Sequence, residues 1–147
     1  MGACVVLGWR EWVALPDLGL AAVRAKVDTG ARSSALHVDW LEHYIDAGAP
    51  WVRFGLHPVD VSLPERSIQA PVLDRRQVTD SGGHVTERVF IATRVVLAGQ
   101  AFLAEINLTS RHGMLFPMLL GRTALADRFV VDPAQSFVLG TTEASAT

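Results

Sequence analysis

The motif Asp-Thr-Gly-Ala-Arg at 28–32 follows directly on an alternating apolar run, 22–27, and this junction constrains the fold most. Alternation predicts a strand with one buried face, and Gly30 permits a tight turn after it. Such a turn places the Asp28 carboxylate at the end of a buried strand, where the Thr29 hydroxyl can hydrogen-bond to a facing loop. A second apolar run ending in glycine and arginine lies about ninety residues later, at 118–122. By itself the tripeptide is also typical of an ordinary β-turn.

Most of the remaining chain has the pattern of strands. Runs 9–15 and 20–27 flank a Pro-Asp-Leu-Gly turn and predict a hairpin. Further strands are expected at 34–38, 51–56, 68–78, 86–97, 101–108, 129–131 and 136–139. Residues 39–47 allow a short helix or an irregular loop, and 123–128 predict one or two helical turns. We therefore expect a mainly β chain with one short helix.

Length and composition predict a single domain. The chain has 147 residues, of which 50% are hydrophobic, enough for one core and too few for two ordinary domains. We expect the domain to span 1–139 and the small, polar residues 140–147 to form a flexible tail. No apolar run approaches the ~20 residues that span a bilayer, and 1–7 is too short and uncharged for a signal peptide. These features predict a cytoplasmic protein with no membrane partner.

Charge and cysteine content exclude several classes of site. The single cysteine, Cys4, rules out an internal disulfide and a multi-cysteine metal site. The net charge is -2, and no basic block is interleaved with aromatic residues, so nucleic acid is not an expected partner. The 13 basic residues include a single lysine. Such an arginine excess suits recognition of carboxylates or phosphates, although codon usage explains it equally well.

Several motifs together resemble those of one protein family. They are GWREWVALP at 8–16, KVDTGAR at 26–32, Arg111, FPMLLGR at 116–122 and the Val-Asp pair at 131–132. This set resembles the bacterial retropepsin-like aspartic proteases that often carry the label ATP-dependent zinc protease. The resemblance covers residues 8–132, nearly the whole chain. Some members of the family are encoded beside an ATP-grasp ligase that adds glutamates to a ribosomal protein.

The resemblance implies a retropepsin-like closed barrel and an aspartic-type endopeptidase. Because this chain has a single copy of the motif, a homodimer would supply the second carboxylate. The implied catalytic residues are Asp28, Thr29 and Gly30. The implied substrate-binding residues are Ala31, Arg32 and Arg122, together with Gly82 and Gly83 of the hairpin tip at 79–84, which would act as a flap over the substrate. An acidic or glutamate-rich peptide is the implied substrate.

Arg32 departs from the viral members of the fold, which typically carry an acidic residue at this place in the motif. If the fold is shared, Arg32 and Arg122 converge near the active-site loop without the usual counter-ion, which costs free energy unless an anion lies between them. Internal candidates for that anion are Glu11, Glu105 and Asp127. The alternative is that carboxylates of the substrate fill the gap.

The histidines do not form a recognisable zinc motif. The chain lacks His-Glu-x-x-His and any histidine pair at helical ligand spacing. His37 follows the Asp28 turn closely enough to share a metal with it in a folded site, but such a histidine more often hydrogen-bonds the backbone or a carboxylate. We therefore expect no metal and no cofactor. A metal-dependent hydrolase and a non-catalytic peptide-binding module remain as alternative functions.

Overall fold

Strands make up most of the protein in the computed structural model, which describes residues 4–79, 82–110 and 116–139. The strands are β1 (Val5–Leu7), β2 (Arg10–Leu15), β3 (Leu20–Val27), β4 (Ser34–His37), β5 (Trp40–Asp46), β6 (Ala49–Leu56), β7 (Arg66–Pro71), β8 (Asp74–Thr79), β9 (Val85–Leu97), β10 (Gln100–Thr109), β11 (Met118–Leu120) and β12 (Phe129–Val131). A single α-helix, α1 (Arg122–Leu125), and a 3-10 turn, Pro16–Leu18, complete the regular elements of these ranges. No helix among them has the length and apolar character needed to cross a membrane.

The main sheet has seven strands in the order β10-β4-β11-β3-β2-β9-β8. Because β9 also pairs with β10, the series of pairings returns to the strand where it started. The prediction of a mainly β chain with one short helix is confirmed. The closed barrel stays a prediction, since β2 and β9 are joined through the one residue pair Ala14–Val96.

Two smaller sheets flank the main one. Strands β5, β6 and β7 form an antiparallel meander, and β1 pairs in parallel with β12. The turn between β5 and β6 contains Ala47 and Gly48, both at positive φ, which permits a tight connection between the two strands.

Alternating residues of the main-sheet strands form the core. On β3, Val23, Ala25 and Val27 are buried while the residues between them are partly or fully exposed, as their alternation predicts. Fully buried side chains from other strands pack with them, among them Leu36, Ile91, Ile106, Met118 and Leu120. Each such side chain contributes about 1.5–3 kcal/mol to folding. The core thus holds β3 and β11 rigidly beneath the loops that follow them.

Three sequence-based predictions of local structure are wrong. Residues 39–47 are neither helix nor loop, because β5 pairs along its length with β6, and a mostly exposed strand shows no alternation. Run 68–78 is two strands: β7 ends at Pro71, which has no N–H to continue the ladder, and the chain crosses to the main sheet at β8. Residues 136–139 form no strand, because the amides of Val138 and Leu139 donate to the Glu11 carboxylate. The predicted tail, 140–147, lies outside the described residues.

An ion pair between Asp17 and Arg94 joins the 3-10 turn to the main sheet. Nη2 of Arg94, on β9, lies 2.7 Å from Oδ1 of Asp17, and the Arg94 backbone N–H donates to Oδ2 at 3.2 Å. The Arg94 side chain, followed by its backbone N–H, holds the pKa of Asp17 below the ordinary value of 3.8. A carboxyl with a lowered pKa in the folded state adds stability above its unfolded pKa, and that stability is lost as the pH falls through its folded pKa.

Asp17→Asn should therefore be less stable than the wild type at pH 7, and the difference should shrink between about pH 5 and pH 2. Urea unfolding followed by circular dichroism at a series of pH values measures it. Arg94→Gln removes the same pair from its other side and should lose most of the same pH-dependent component. A difference between wild type and Asp17→Asn that persists unchanged to pH 2 would contradict this assignment.

Candidate functional site

Asp28 lies where β3 ends beside β11. Strand β11 is inserted between β3, to which it is parallel, and β4, to which it is antiparallel. Leu120 is paired with Val27, and the next amide, that of Asp28, donates to the Leu120 carbonyl at 2.9 Å. The Asp28 loop therefore packs against segment 119–121. The two distant motifs thus meet through backbone hydrogen bonds.

The loop fixes the orientation of the Asp28 carboxylate. The Gly30 backbone N–H donates to Asp28 Oδ1 at 2.9 Å, and the Ala31 N–H donates to the Asp28 carbonyl at 3.2 Å, closing a tight turn. Asp28 is half-buried, and Thr29 and Gly30 are exposed. Within the described residues the Thr29 hydroxyl has no hydrogen-bond partner. The Asp28 carboxylate is therefore held through one oxygen by the Gly30 amide, and its side chain remains partly exposed to solvent.

Arg122 stabilises this loop from the α1 side. Its Nη1 donates to the carbonyls of Thr29 and Gly30 at 3.3 and 3.2 Å, and its backbone N–H donates to the Ala31 carbonyl at 2.8 Å. The predicted role of Arg122 in binding substrate must be shared with this structural one. Arg32, by contrast, is exposed and has no side-chain partner in the described part of the chain.

Gly121 allows the two loops to approach closely. Its backbone N–H donates to Ser34 Oγ at 3.0 Å. A Cβ at this position would lie 2.6 Å from the carbonyl carbon and oxygen of Ser33 and 2.9 Å from the Arg32 oxygen. These are backbone atoms, which cannot rotate away as a flexible side chain can. A glycine is therefore needed here for packing.

A cleft of about 870 Å³ opens above the Asp28 loop. Asp28, Gly30, Ala31, Arg32 and Arg122 all line it, together with residues of β8, β9 and β10. Of the predicted substrate-binding residues, the structure thus brings three to one cleft.

The remaining two predicted residues, Gly82 and Gly83, do not line this cleft in the structure. They lie in the connection between β8 and β9, beyond the last strand pair, Thr79–Val85, and Asp80 and Ser81 are outside the described residues. Strand β8 itself lines the cleft through residues 76–79. The role of the two glycines as parts of a flap stays a prediction, and it requires that this hairpin move.

Arg76 and Arg88, which were not predicted from the sequence as site residues, also line the cleft. Arg76 Nη2 lies 2.8 Å from Glu105 Oε1, and Arg88 Nη1 donates to Asn107 Oδ1 at 3.2 Å. The hydrogen bond to Glu105, before the weaker one to Asp74, raises the pKa of Arg76. Arg76, Arg88, Glu105 and Asn107 lie on the same face of three adjacent strands. The alternation of side chains along each strand would have identified this polar face once the strand registers were known.

The internal counter-ions expected for Arg32 and Arg122 are wrong. Glu105 pairs with Arg76 instead. Glu11 is fully buried, and its carboxylate accepts hydrogen bonds from the amides of Gly8, Val138 and Leu139. Asp127 follows α1 with a φ of 68° and forms no ion pair within the described ranges. The Asp28 loop thus has unpaired cationic charge at Arg32.

His37 does not share a site with Asp28. It follows Leu36, which pairs with Met118 at the start of β11, whereas Asp28 lies past the end of that strand. Three residues of strand separate the two positions by about 10 Å. The predicted possibility of a metal held jointly by His37 and Asp28 is therefore wrong.

A group of potential metal ligands does exist at the far end of β11. One ligand atom each from Asp39, His57 and Glu65 lie within 4.8 Å of one another. His57 Nδ1 is 2.8 Å from Asp39 Oδ2, and the Trp40 indole N–H donates to Glu65 Oε1 at 2.8 Å. A cation there could join β5 to the segment before β7. It would lie away from the Asp28 carboxylate and could not polarise a carbonyl bound beside it.

Comparisons with known proteins agree with this arrangement. A family model described as RimB-like, the retropepsin-like aspartic endopeptidase RimB, matches residues 6–142. A probable alpha-L-glutamate ligase from Shewanella halifaxensis is 41% identical over 92% of the chain, and one from Desulfotalea psychrophila is 36% identical over 92%. The chain spans about three tenths of the length of these relatives. The crystal structure of a Legionella pneumophila protein of unknown function is similar, with a TM-score of 0.76 and 28% identity, over 92% of this chain and 98% of that one.

Gly121→Ala should lower the stability of the protein by about 1–3 kcal/mol, because the added methyl group meets the backbone of residues 32 and 33. Urea unfolding measures the change. The matched control is Gly30→Ala in the same site, where the new Cβ would meet only the Asp28 side chain, at 3.2 Å. Equal losses in the two variants would mean that close approach of the loops is not what requires Gly121.

Proposed function

Since this chain belongs to the RimB-like family of retropepsin-like aspartic endopeptidases, we propose that it is a cytoplasmic aspartic-type endopeptidase whose active site is completed by homodimerisation. We propose acidic or glutamate-rich peptides as its substrates. The observation that carries this proposal is the Asp28 carboxylate, held by the Gly30 amide at the end of a buried strand and open to a peptide-sized cleft.

The chemistry requires two such carboxylates. Two carboxylates brought together by a two-fold axis cannot both ionise at low cost, so one keeps a proton. The ionised Asp28 takes a proton from water while the water oxygen bonds to the peptide carbonyl carbon. The protonated Asp28 of the partner subunit donates its proton to the carbonyl oxygen. As the tetrahedral intermediate collapses, the Asp28 that took the water proton gives it to the amide nitrogen and the C–N bond breaks. One hydroxyl of the intermediate returns its proton to the Asp28 of the partner subunit, which yields a carboxylic acid and an amine and restores the starting pair of carboxyl groups.

Thr29 and Gly30 have supporting roles in this reaction. The Gly30 N–H keeps Asp28 Oδ1 in a fixed orientation, so that the second oxygen is directed toward substrate or partner. The Thr29 hydroxyl, exposed and without a partner in the described part of one subunit, would hydrogen-bond across the two-fold axis of the proposed dimer.

A second groove supports homodimerisation. It has a volume of about 590 Å³, is lined largely by apolar atoms, and shares Asp28 and Arg122 with the cleft. Trp9, Leu125 and Val130 line it together with Asp28 and Thr29. Val130 is 50% exposed, and its strand neighbour Val6 is 42% exposed. A second copy of the chain would cover these apolar side chains while bringing the two Asp28 loops together.

The charges of the cleft support an acidic substrate. Its lining includes four arginines, and its carboxylates are those of Asp28 and Glu105. Arg32 has no anionic partner within the described residues, and a guanidinium binds a carboxylate with two parallel hydrogen bonds. The relatives named as probable alpha-L-glutamate ligases carry a similar segment within a longer chain. A glutamate-rich substrate would account both for the arginines that line the cleft and for the similarity to proteins named as glutamate ligases.

The same relatives also favour a second candidate, a peptide-binding module without catalysis. There, a segment similar to this chain forms about three tenths of a protein that carries the name of a different enzyme. Such a segment could hold the glutamate-rich product. Binding of an acidic peptide without turnover would decide for this second function.

Asp28→Asn should lower kcat on a fluorogenic glutamate-rich peptide by about 100-fold or more, because an amide can neither share the proton nor activate the water. The asparagine oxygen can still accept from Gly30, so circular dichroism should show a similar melting temperature. Activity of the wild type should survive EDTA. Equal turnover by the two forms would remove Asp28 from the mechanism, and loss of activity with the chelator would favour the metal-dependent alternative.

Arg32→Ala should weaken binding of a glutamate peptide about tenfold or more and leave its glutamine counterpart nearly unchanged, since a charge-assisted contact contributes about 1.5–3 kcal/mol. Fluorescence polarisation measures both affinities. Arg53→Ala, at an exposed arginine on β6 that does not line the cleft, is the matched control. Equal losses for the two peptides would show that Arg32 supports the fold and does not select the substrate.

A further inference from the structure

An ion pair between Arg76 on β8 and Glu105 on β10 lies on the wall of the cleft. Arg76 Nη2 lies 2.8 Å from Glu105 Oε1, while Arg76 Nε lies 2.9 Å from Asp74 Oδ1. Arg76 and Glu105 both line the cleft, whereas Asp74 does not. The guanidinium is thus held at its Nε on one side and faces the cleft with its outer nitrogens.

The strand registers explain how the pair forms. Arg76 on β8 is opposite Arg88 on β9, and Phe90, two residues further along β9, is on the same face. The Arg76 guanidinium lies 4.4 Å above the centre of the Phe90 ring. From there it reaches Glu105 on β10, on the far side of β9. The pair therefore bridges three adjacent strands over an aromatic surface inside the cleft.

The pair is accessible to a bound peptide. The Glu105 side chain is 54% exposed and that of Arg76 is 39% exposed. Exposed ion pairs contribute little free energy, so separating Arg76 from Glu105 should cost little. A glutamate side chain of a bound peptide presents the same carboxylate group as Glu105 and can accept the same hydrogen bonds from Arg76.

We propose that Glu105 is an internal substitute for a substrate carboxylate, and that Arg76 exchanges it for a glutamate side chain of the bound peptide. The proposal rests on the acidic substrate class of the proposed function. Asp74 keeps Arg76 Nε in place during the exchange, and Phe90 supports the plane of the guanidinium. A peptide without carboxylates leaves the Arg76–Glu105 pair intact, so Arg76 is a specificity-determining residue of the cleft.

The exchange predicts a definite pattern of affinities. In the Asp28→Asn background, which binds without needing turnover, the Kd of a labelled hexaglutamate peptide is measured by fluorescence polarisation against that of hexaglutamine. Glu105→Gln should lower the Kd of the glutamate peptide about two- to fivefold, since Arg76 is then free of its internal partner. Arg76→Gln should raise this Kd about tenfold. The glutamine peptide should respond to neither change.

A double variant separates exchange from simple repulsion. If Glu105 acts through Arg76, Glu105→Gln should have no effect once Arg76→Gln is present. The matched control is Glu87→Gln, which removes the same charge from the opposite face of β9, outside the cleft, and should leave both Kd values unchanged. Circular dichroism melts confirm that each variant is folded.

Three outcomes would overturn the proposal. Tighter binding that persists in the double variant would show that Glu105 merely repels the acidic peptide. Equal tightening for both peptides would show that the pair only restricts access to the cleft, and an unchanged or raised Kd for Glu105→Gln would show no exchange. None of these results depends on proteolysis. The expected pattern together with an absence of cleavage by the wild type would keep this inference and reject the endopeptidase.

Discussion

The insertion of β11 between β3 and β4 is the constraint on which the candidate site depends. All three of its residues pair with β3 and two of them also pair with β4, and the backbone that follows at 122–123 provides amide donors to the loop that carries Asp28. The Arg122 and Thr123 amides donate to the carbonyls of residues 31 and 32. The position of the carboxylate is therefore set by backbone hydrogen bonds between two segments that are distant in the sequence.

Burial explains why a strand of only three residues is sufficient. Met118 and Leu120 are fully buried, and they pack in the same core as Leu36 and Val23. Leaving either side chain exposed would cost more than one hydrogen bond contributes, so β11 is held by its side chains as well as by its backbone. The close approach at Gly121 then joins this rigid strand to the loop above it.

The arginines near the site divide into different physical roles. Arg122 donates to the backbone carbonyls of Thr29 and Gly30, which joins the exposed loop to the start of α1. Arg76 is paired with the carboxylate of Glu105, and the Arg32 side chain is exposed with no partner in the described structure. The proposed binding of anionic peptides would use these exposed arginines and would not require a permanently buried charge, whose desolvation would be costly.

The sequence by itself determined what depends on local pattern and on the chemistry of single residues. Alternation predicted β3, the Asp-Thr-Gly sequence predicted a turn at 28–30, and the family resemblance of the motifs at 28–32 and 118–122 implied that Arg32 and Arg122 converge. Tertiary structure alone decided the rest. Segment 40–46 is a strand because β6 lies beside it. The amides of residues 138 and 139 donate to the Glu11 carboxylate and therefore do not pair with another strand. The tertiary structure also determines the partner of Glu105, because Arg76 lies within ion-pair distance only when β8, β9 and β10 are in register. Local pattern reports which face of a segment is apolar, whereas pairing and charge contacts depend on which segments become neighbours.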